Sequence, residues 1–192
     1  QVPFVMMGYR VPNYTSEDSY ALDILDSILS HGKSSRLYQS LVYEQKSSLA
    51  VGAEYSLLQT DPGLFYFYAL VSPGQKPEVV EEALHREIKR LQVDPPTEQE
   101  LQRAKNQVEA SHIFEQDSNF RHAMLLGQAE SVGAGWQKID QFVERIRSVT
   151  AKDIQRVARQ YLTEDNRTVG TLIPIPLKQP ETPPTAAQQG KP

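Results

Sequence analysis

The chain has 192 residues, enough for one large domain that buries roughly 70% of the surface its unfolded form exposes. A formal charge of −4 with acids and bases interspersed argues against nucleic acid as a partner, and the absence of cysteine removes disulfides, thiolate zinc sites and cysteine nucleophiles together. No apolar run approaches the ~18 residues that cross a bilayer, so no transmembrane segment is expected.

Val2 to Val11 is apolar and β-prone, bounded by Pro12 and Asn13, and reads as a strand buried on at least one face. Thr15 with Asp18 has the spacing of a capping box, and Ala21, Leu22, Ile24, Leu25, Ile28 and Leu29 form an apolar stripe, predicting a helix over Ser16 to Ser30 with Gly32 as a left-handed terminator. A short second helix is expected from Ser34 or Ser35, with Leu37, Leu41 and Tyr38 towards the core. Leu49 to Leu58 and Leu64 to Val71 then read as an antiparallel pair of strands joined by the Asp61-Pro62-Gly63 turn.

The next helix starts near Pro77, a residue suited to a first turn, and carries Val80, Ala83, Leu84, Ile88 and Leu91. Asp94-Pro95-Pro96 ends it. Thr97 with Glu100 caps a long helix through Leu101, Ala104, Val108 and His112. Two further helices follow, one on His122, Leu125, Leu126 and Ala129 and, after Gly133 and Gly135, one on Ile139, Phe142, Val143 and Ile146. Thr150 with Asp153 caps the last, whose buried face is Ile154, Val157, Ala158 and Tyr161, and Arg167 to Ile173 closes the domain as a strand. Residues 174–192 are a Pro-rich tail with too few apolar side chains to offset the entropy of ordering, and are expected to be disordered. The element order predicts an α+β two-layer sandwich over residues 1–173, a mostly antiparallel sheet with helices packed on one face.

Chemistry is sparse. No two of the four histidines have the H-x-x-E-H spacing of a helical zinc site, and His112 and His122, beside the apolar stripes of their helices, read as packing residues able to meet across a helix pair. His31 sits in a turn and reads as satisfying backbone at a helix end. Glu81-Glu82 and Glu98 to Glu100 stand at helix beginnings, where they complement the macrodipole. Gly32-Lys33-Ser34-Ser35 lacks both the spacing and the preceding strand of a phosphate loop. From the residues alone, no catalytic residue and no metal ligand is assigned.

Four stretches, Gly8 to Pro12, Ser34 to Glu44 (S-S-R-L-Y-Q-S-L-V-Y-E), Ser72 to Leu84 and Pro96 to Asn106, occur in one order and spacing. Together they are similar to the C-terminal half-domain of the insulinase/pitrilysin superfamily of zinc peptidases, in the bacterial processing-peptidase-like branch. The resemblance covers Val2 to Ile173 and implies a sheet of up to six strands. It also implies a non-catalytic domain that helps to enclose a peptide-binding chamber, with zinc held by H-x-x-E-H in an N-terminal half that is absent from this segment. The implied partners are that catalytic half-domain, a homologous subunit in a homo- or heterodimer, and peptide substrate. Some relatives bind substrate backbone through an Arg and a Tyr, and those positions fall on Val42 and Val51 here. The alternative is a parent that is a structural subunit without protease activity. The chain starts at Gln1 without a leader, which suggests a fragment; a parent with a leader would be periplasmic, and one without would be cytoplasmic.

Overall fold

The computed structural model describes residues 2–60 and 63–175, apart from the side chain of residue 116. Four strands form one antiparallel sheet in the order β2-β3-β1-β4: β1 (Phe4–Val11), β2 (Ser48–Tyr55), β3 (Gly63–Val71) and β4 (Arg167–Leu172). The alternation in β1 is strict: Val5, Met7, Tyr9 and Val11 are buried, whereas Phe4, Met6, Gly8 and Arg10 point to the other face. β3 does the same, burying Phe65, Phe67, Ala69 and Val71. The buried rings support each other, with Tyr9 edge-on to Phe67 at 5.9 Å and Phe65 5.2 Å from Phe67.

Among the described residues all the helices lie on one side of this sheet, so the two-layer reading holds, with four strands falling within the range expected. α1 (Asp18–Ser30), α2 (Pro77–Val93) and α6 (Ala151–Tyr161) touch the strands. α3 (Glu98–Gln116) and α5 (Gln137–Ser148) pack on the outside of α1, and α4 (Asn119–Ser131) leans on both α3 and α5. Leu22, Ile24, Leu25 and Leu29 of α1 are fully buried between the sheet and this outer tier, each contributing about 1.5–3 kcal/mol relative to exposure.

Helix ends follow the capping chemistry at two of three expected places. Thr97 and Glu100 form a capping box on α3, as Thr150 and Asp153 do on α6. Thr15 does not cap α1; its hydroxyl donates to Asn13 Oδ1 at 2.9 Å, and Ser16 Oγ instead accepts from the Asp18 amide at 3.2 Å. Asn13 wins because it is buried in the preceding turn and has its own anchor, donating through Nδ2 to Gln59 O at 2.8 Å. α1 accordingly begins two residues later than the sequence suggests.

The short second helix is a π-helix over Tyr38–Glu44, with the Gln45 amide reaching back five residues to Ser40 O at 3.0 Å. Two residues after its end, Lys46 takes a φ of 51° and turns the chain into β2. Leu37 and Leu41 are fully buried, as their spacing predicts. β2 stops at Tyr55, short of the expected Leu58, although Leu57 and Leu58 stay buried in the turn that follows. The Asp61-Pro62 part of the expected turn and residues 176–192 of the expected tail lie outside the described residues.

The ends of α2 and α6 close each other. Gln92 Nε2 donates to Ala158 O and Leu162 O at 3.1 and 2.9 Å, and Gln155 Nε2 donates to Gln92 O and Val93 O at 3.2 and 2.8 Å. The last carbonyls of each helix are thus satisfied by an amide from the other.

Candidate functional site

The segment from Ser30 to Tyr55 binds the domain together. Gly32 takes the expected left-handed conformation at φ +77° after α1. Arg36 grips Glu100 with two bonds, Nε to Oε1 at 2.8 Å and Nη2 to Oε2 at 3.0 Å, so the start of the short helix is clamped to the capping box of α3. With the Arg36 bond foremost, Glu100 is held down to about 2. The acid that reads in the sequence as a complement to the helix dipole is therefore also an anchor.

On the β2 side, Ser30 Oγ lies 2.9 Å from Asp26 Oδ1 and 3.0 Å from Ala53 O, while the Tyr55 amide donates to the Asp26 carboxyl. Side chains of α1 thus occupy the outer edge of β2 at Ala53 and Tyr55. Val42 is half-buried in the π-helix, and Val51 packs partly against the helix-side core. Val51 therefore lies on the face of the sheet opposite to the uncovered one.

Beneath this segment lies a small cavity of about 190 Å³, lined in part by Asp23, His31, Ser111, His112 and Glu115. Burial pushes Asp23 up to about 7, with Glu115 adding repulsion, and burial likewise raises Asp26 to about 7. His112 is buried, its ring 4.6 Å from that of Phe142, and burial lowers its pKa, with His122 close enough to add a smaller repulsion. His85 accepts at Nδ1 from Arg167 at 3.2 Å, and its pKa is lowered by burial first and by Arg167 second. Among the described residues no group of three or more His, Asp or Glu side chains is placed to hold a metal ion. His31 stands at the end of α1 with its amide donating to Ser27 O at 3.1 Å.

The sheet face that none of the described helices covers is the other candidate. Antiparallel pairing brings Gly52, Tyr68, Met6 and Gly170 into one row across it, and Glu54, Tyr66, Gly8 and Thr168 into the next. Met6 is 42% exposed and Leu64 45%, although both sit in strands whose alternate residues are fully buried. Tyr66 donates to Glu54, a bond that pushes its hydroxyl up to about 12 and tilts the ring towards β2. Tyr68 also lies over β2, on Gly52. Beside them a trough of about 540 Å³ lies over β1 and β4, with Leu64 and Tyr66 of β3 among its lining residues. Nothing in the local sequence marks this trough, since it depends on pairing residues some 160 positions apart, Gly8 with Thr168.

Comparison with known proteins places these features in context. Residues 1–108 match the family model described as the peptidase M16 inactive domain. The zinc protease PqqE of Helicobacter pylori is 27% identical over 171 residues, 89% of this chain and 38% of that protein. An uncharacterized zinc protease of Streptomyces coelicolor is 30% identical over 159 residues, 82% of this chain and 34% of its own. The solved inactive peptidase domain of a candidate zinc protease from Bordetella parapertussis superposes with a TM-score of 0.83 at 29% identity, covering 96% of each chain. The chain thus spans little more than a third of the length of the curated relatives it matches, but nearly the whole of a solved domain.

Proposed function

The chain belongs to the peptidase M16 family as its inactive domain, and from that premise we propose that its uncovered sheet face forms part of the wall of a peptide-holding chamber. The other walls come from a zinc-bearing N-terminal half-domain of the same parent and, in a dimer, from a homologous subunit. The observation that carries this reading is the asymmetry of the sheet. One face is sealed by helices, while on the other, among the described residues, Met6 and Leu64 are exposed and Tyr66 and Tyr68 half-buried.

In this arrangement the zinc half supplies a metal-activated water for peptide hydrolysis, and the present domain contributes shape and contacts. Val42 and Val51 stand where some relatives carry the Arg and Tyr that hold substrate backbone, so this half grips peptide through its open face instead. The test uses the complete gene product. A parent with H-x-x-E-H upstream is expected to hydrolyse peptides in a chelator-sensitive way, and Leu64→Lys is expected to lower that rate without moving Tm. Chelator-sensitive hydrolysis by the 192-residue chain alone would sink the reading, as would a parent without the motif or a Leu64→Lys parent of unchanged rate.

A further inference from the structure

Three glycines lie within strands of the open face, and they are not equivalent. Gly52 is filled from above: a Cβ there would lie 2.5 Å from the Tyr68 ring. Gly8 and Gly170 have no such filler. A Cβ on Gly170 would meet nothing within 4 Å, and one on Gly8 would make only an ordinary contact, 3.4 Å from Leu64 Cδ1. Neither has a positive φ. No turn, strain or close packing within the described residues demands glycine at either position, yet glycine weakens a strand interior and is found there where a ligand or another backbone approaches closely.

The strand register makes the two bare positions neighbours. Gly170 pairs with Met6 and Thr168 with Gly8, so Gly8 and Gly170 sit diagonally on adjacent strands and floor the trough. Met6 and Leu64 supply apolar walls. Arg10 lines the same trough, is exposed, and makes no ion pair among the described residues; Asp165 and Arg167 line the trough as well, so its charged end carries two cations against one carboxylate. From Gly8 to Arg10 is two residues along β1, which is also the repeat at which an extended peptide sets successive side chains on one face.

We propose that this trough is a subsite for an extended peptide whose bulky apolar side chain rests over Gly8 and Gly170 and whose acidic side chain, two residues away, meets Arg10. The inference rests on the open face being a chamber wall and adds the substrate class that wall would select. A trough with apolar surface at Met6, Gly8, Leu64 and Gly170 and a polar end at Arg10, Asp165, Asn166 and Arg167, net positive, suits an apolar anchoring residue with an acidic neighbour.

The test is a titration of the ¹⁵N-labelled 192-residue chain with a capped heptapeptide, Gly-Gly-Phe-Gly-Glu-Gly-Gly, at millimolar concentration, read at the amides of Gly8, Gly170 and Arg10. Replacing Phe by Ala in the peptide is expected to weaken binding at least about tenfold. Replacing Glu by Gln is expected to cost about threefold to tenfold in the native chain and nothing in Arg10→Gln. Gly170→Leu, whose Cβ would meet nothing within 4 Å and whose side chain would occupy the floor, is expected to lose at least about tenfold in affinity at unchanged Tm; Gly8→Ala, with its ordinary contact, serves as the second variant and is expected to weaken binding in the same direction. If the open face responds but both variants bind as the native chain does, the subsite is wrong and the chamber wall stands. If no open-face amide responds, the subsite is wrong, and the hydrolysis assay with Leu64→Lys alone decides the wall.

Discussion

Breaking the Arg36–Glu100 clamp should loosen the junction between the short helix and α3, and its size can be worked from the geometry. Glu100 falls from 4.5 to about 2, which at 1.36 kcal/mol per pH unit would correspond to about 3 kcal/mol if fully realised. The Thr97 bonds share in that fall. The side chains keep 11% and 22% of their surface in water, so solvent screens the pair, and about 1–2 kcal/mol is assigned to it. Because the folded value lies below the unfolded one, this stability is fully present above about pH 4.5 and is lost as pH falls towards 2, with about half gone by pH 3. Urea unfolding of Arg36→Met, Glu100→Gln and the double variant at pH 7 should give a coupling energy of about 1–2 kcal/mol that shrinks on acidification. A coupling below about 0.3 kcal/mol, or a Glu100 carboxyl carbon that titrates near 4.5 by NMR, would refute the reasoning.

Asp23 shows the opposite sign. Burial raises it to about 7, so it contributes stability below about 3.8 that is lost as pH rises through 7. Asp23→Asn should therefore stabilise the chain at pH 8 by about 1–2 kcal/mol, less than the full shift implies because part of its surface stays in water, and should flatten the thermal stability profile between pH 4 and 7. Thr150→Ala removes the capping box of α6 and should cost about 1 kcal/mol in chemical denaturation; an unchanged midpoint would mean the last helix is held by packing alone. Equilibrium dialysis of the purified chain against zinc should give no stoichiometric binding, whereas one equivalent lost in a His112→Phe variant would overturn the assignment of His112 to packing against Phe142.

What could be read from the sequence was what depends on near neighbours. The alternation of β1 and β3, the buried stripe of α1 and the caps at Thr97 and Thr150 are each set within a few residues. Thr15 misled because its competitor, Asn13, is distinguished only by its bond to Gln59, 46 positions away. The π-helix was not legible because Leu37 and Leu41 have the same spacing on an α-turn as on a π-turn. Asp23 and Asp26 sit among six apolar residues of α1 and could have been noticed as acids three apart inside a buried stripe. Glu100 looked like a dipole residue, and only the folded chain brings Arg36 across 64 positions to it. The trough is the extreme case, since Gly8 and Gly170 gain meaning only when β4 returns to lie beside β1.

The crossed amides of Gln92 and Gln155 tie two helix ends that are more than sixty residues apart in sequence. Ordinarily a helix terminus frays alone, exchanging its last amides with solvent at small cost. Here, opening the end of α2 strands carbonyls of α6, and opening α6 strands those of α2. The two ends should therefore exchange hydrogen as one cooperative unit, and the loop into β4 inherits that protection through Asn166, whose side-chain amide donates to Tyr161 O in the last turn of α6 and to Arg10 O of β1. The last strand, though it lies at the border of the described sheet, is thus tied to both α6 and β1 through Asn166, and the floor it contributes at Gly170 should open with those helix ends rather than alone.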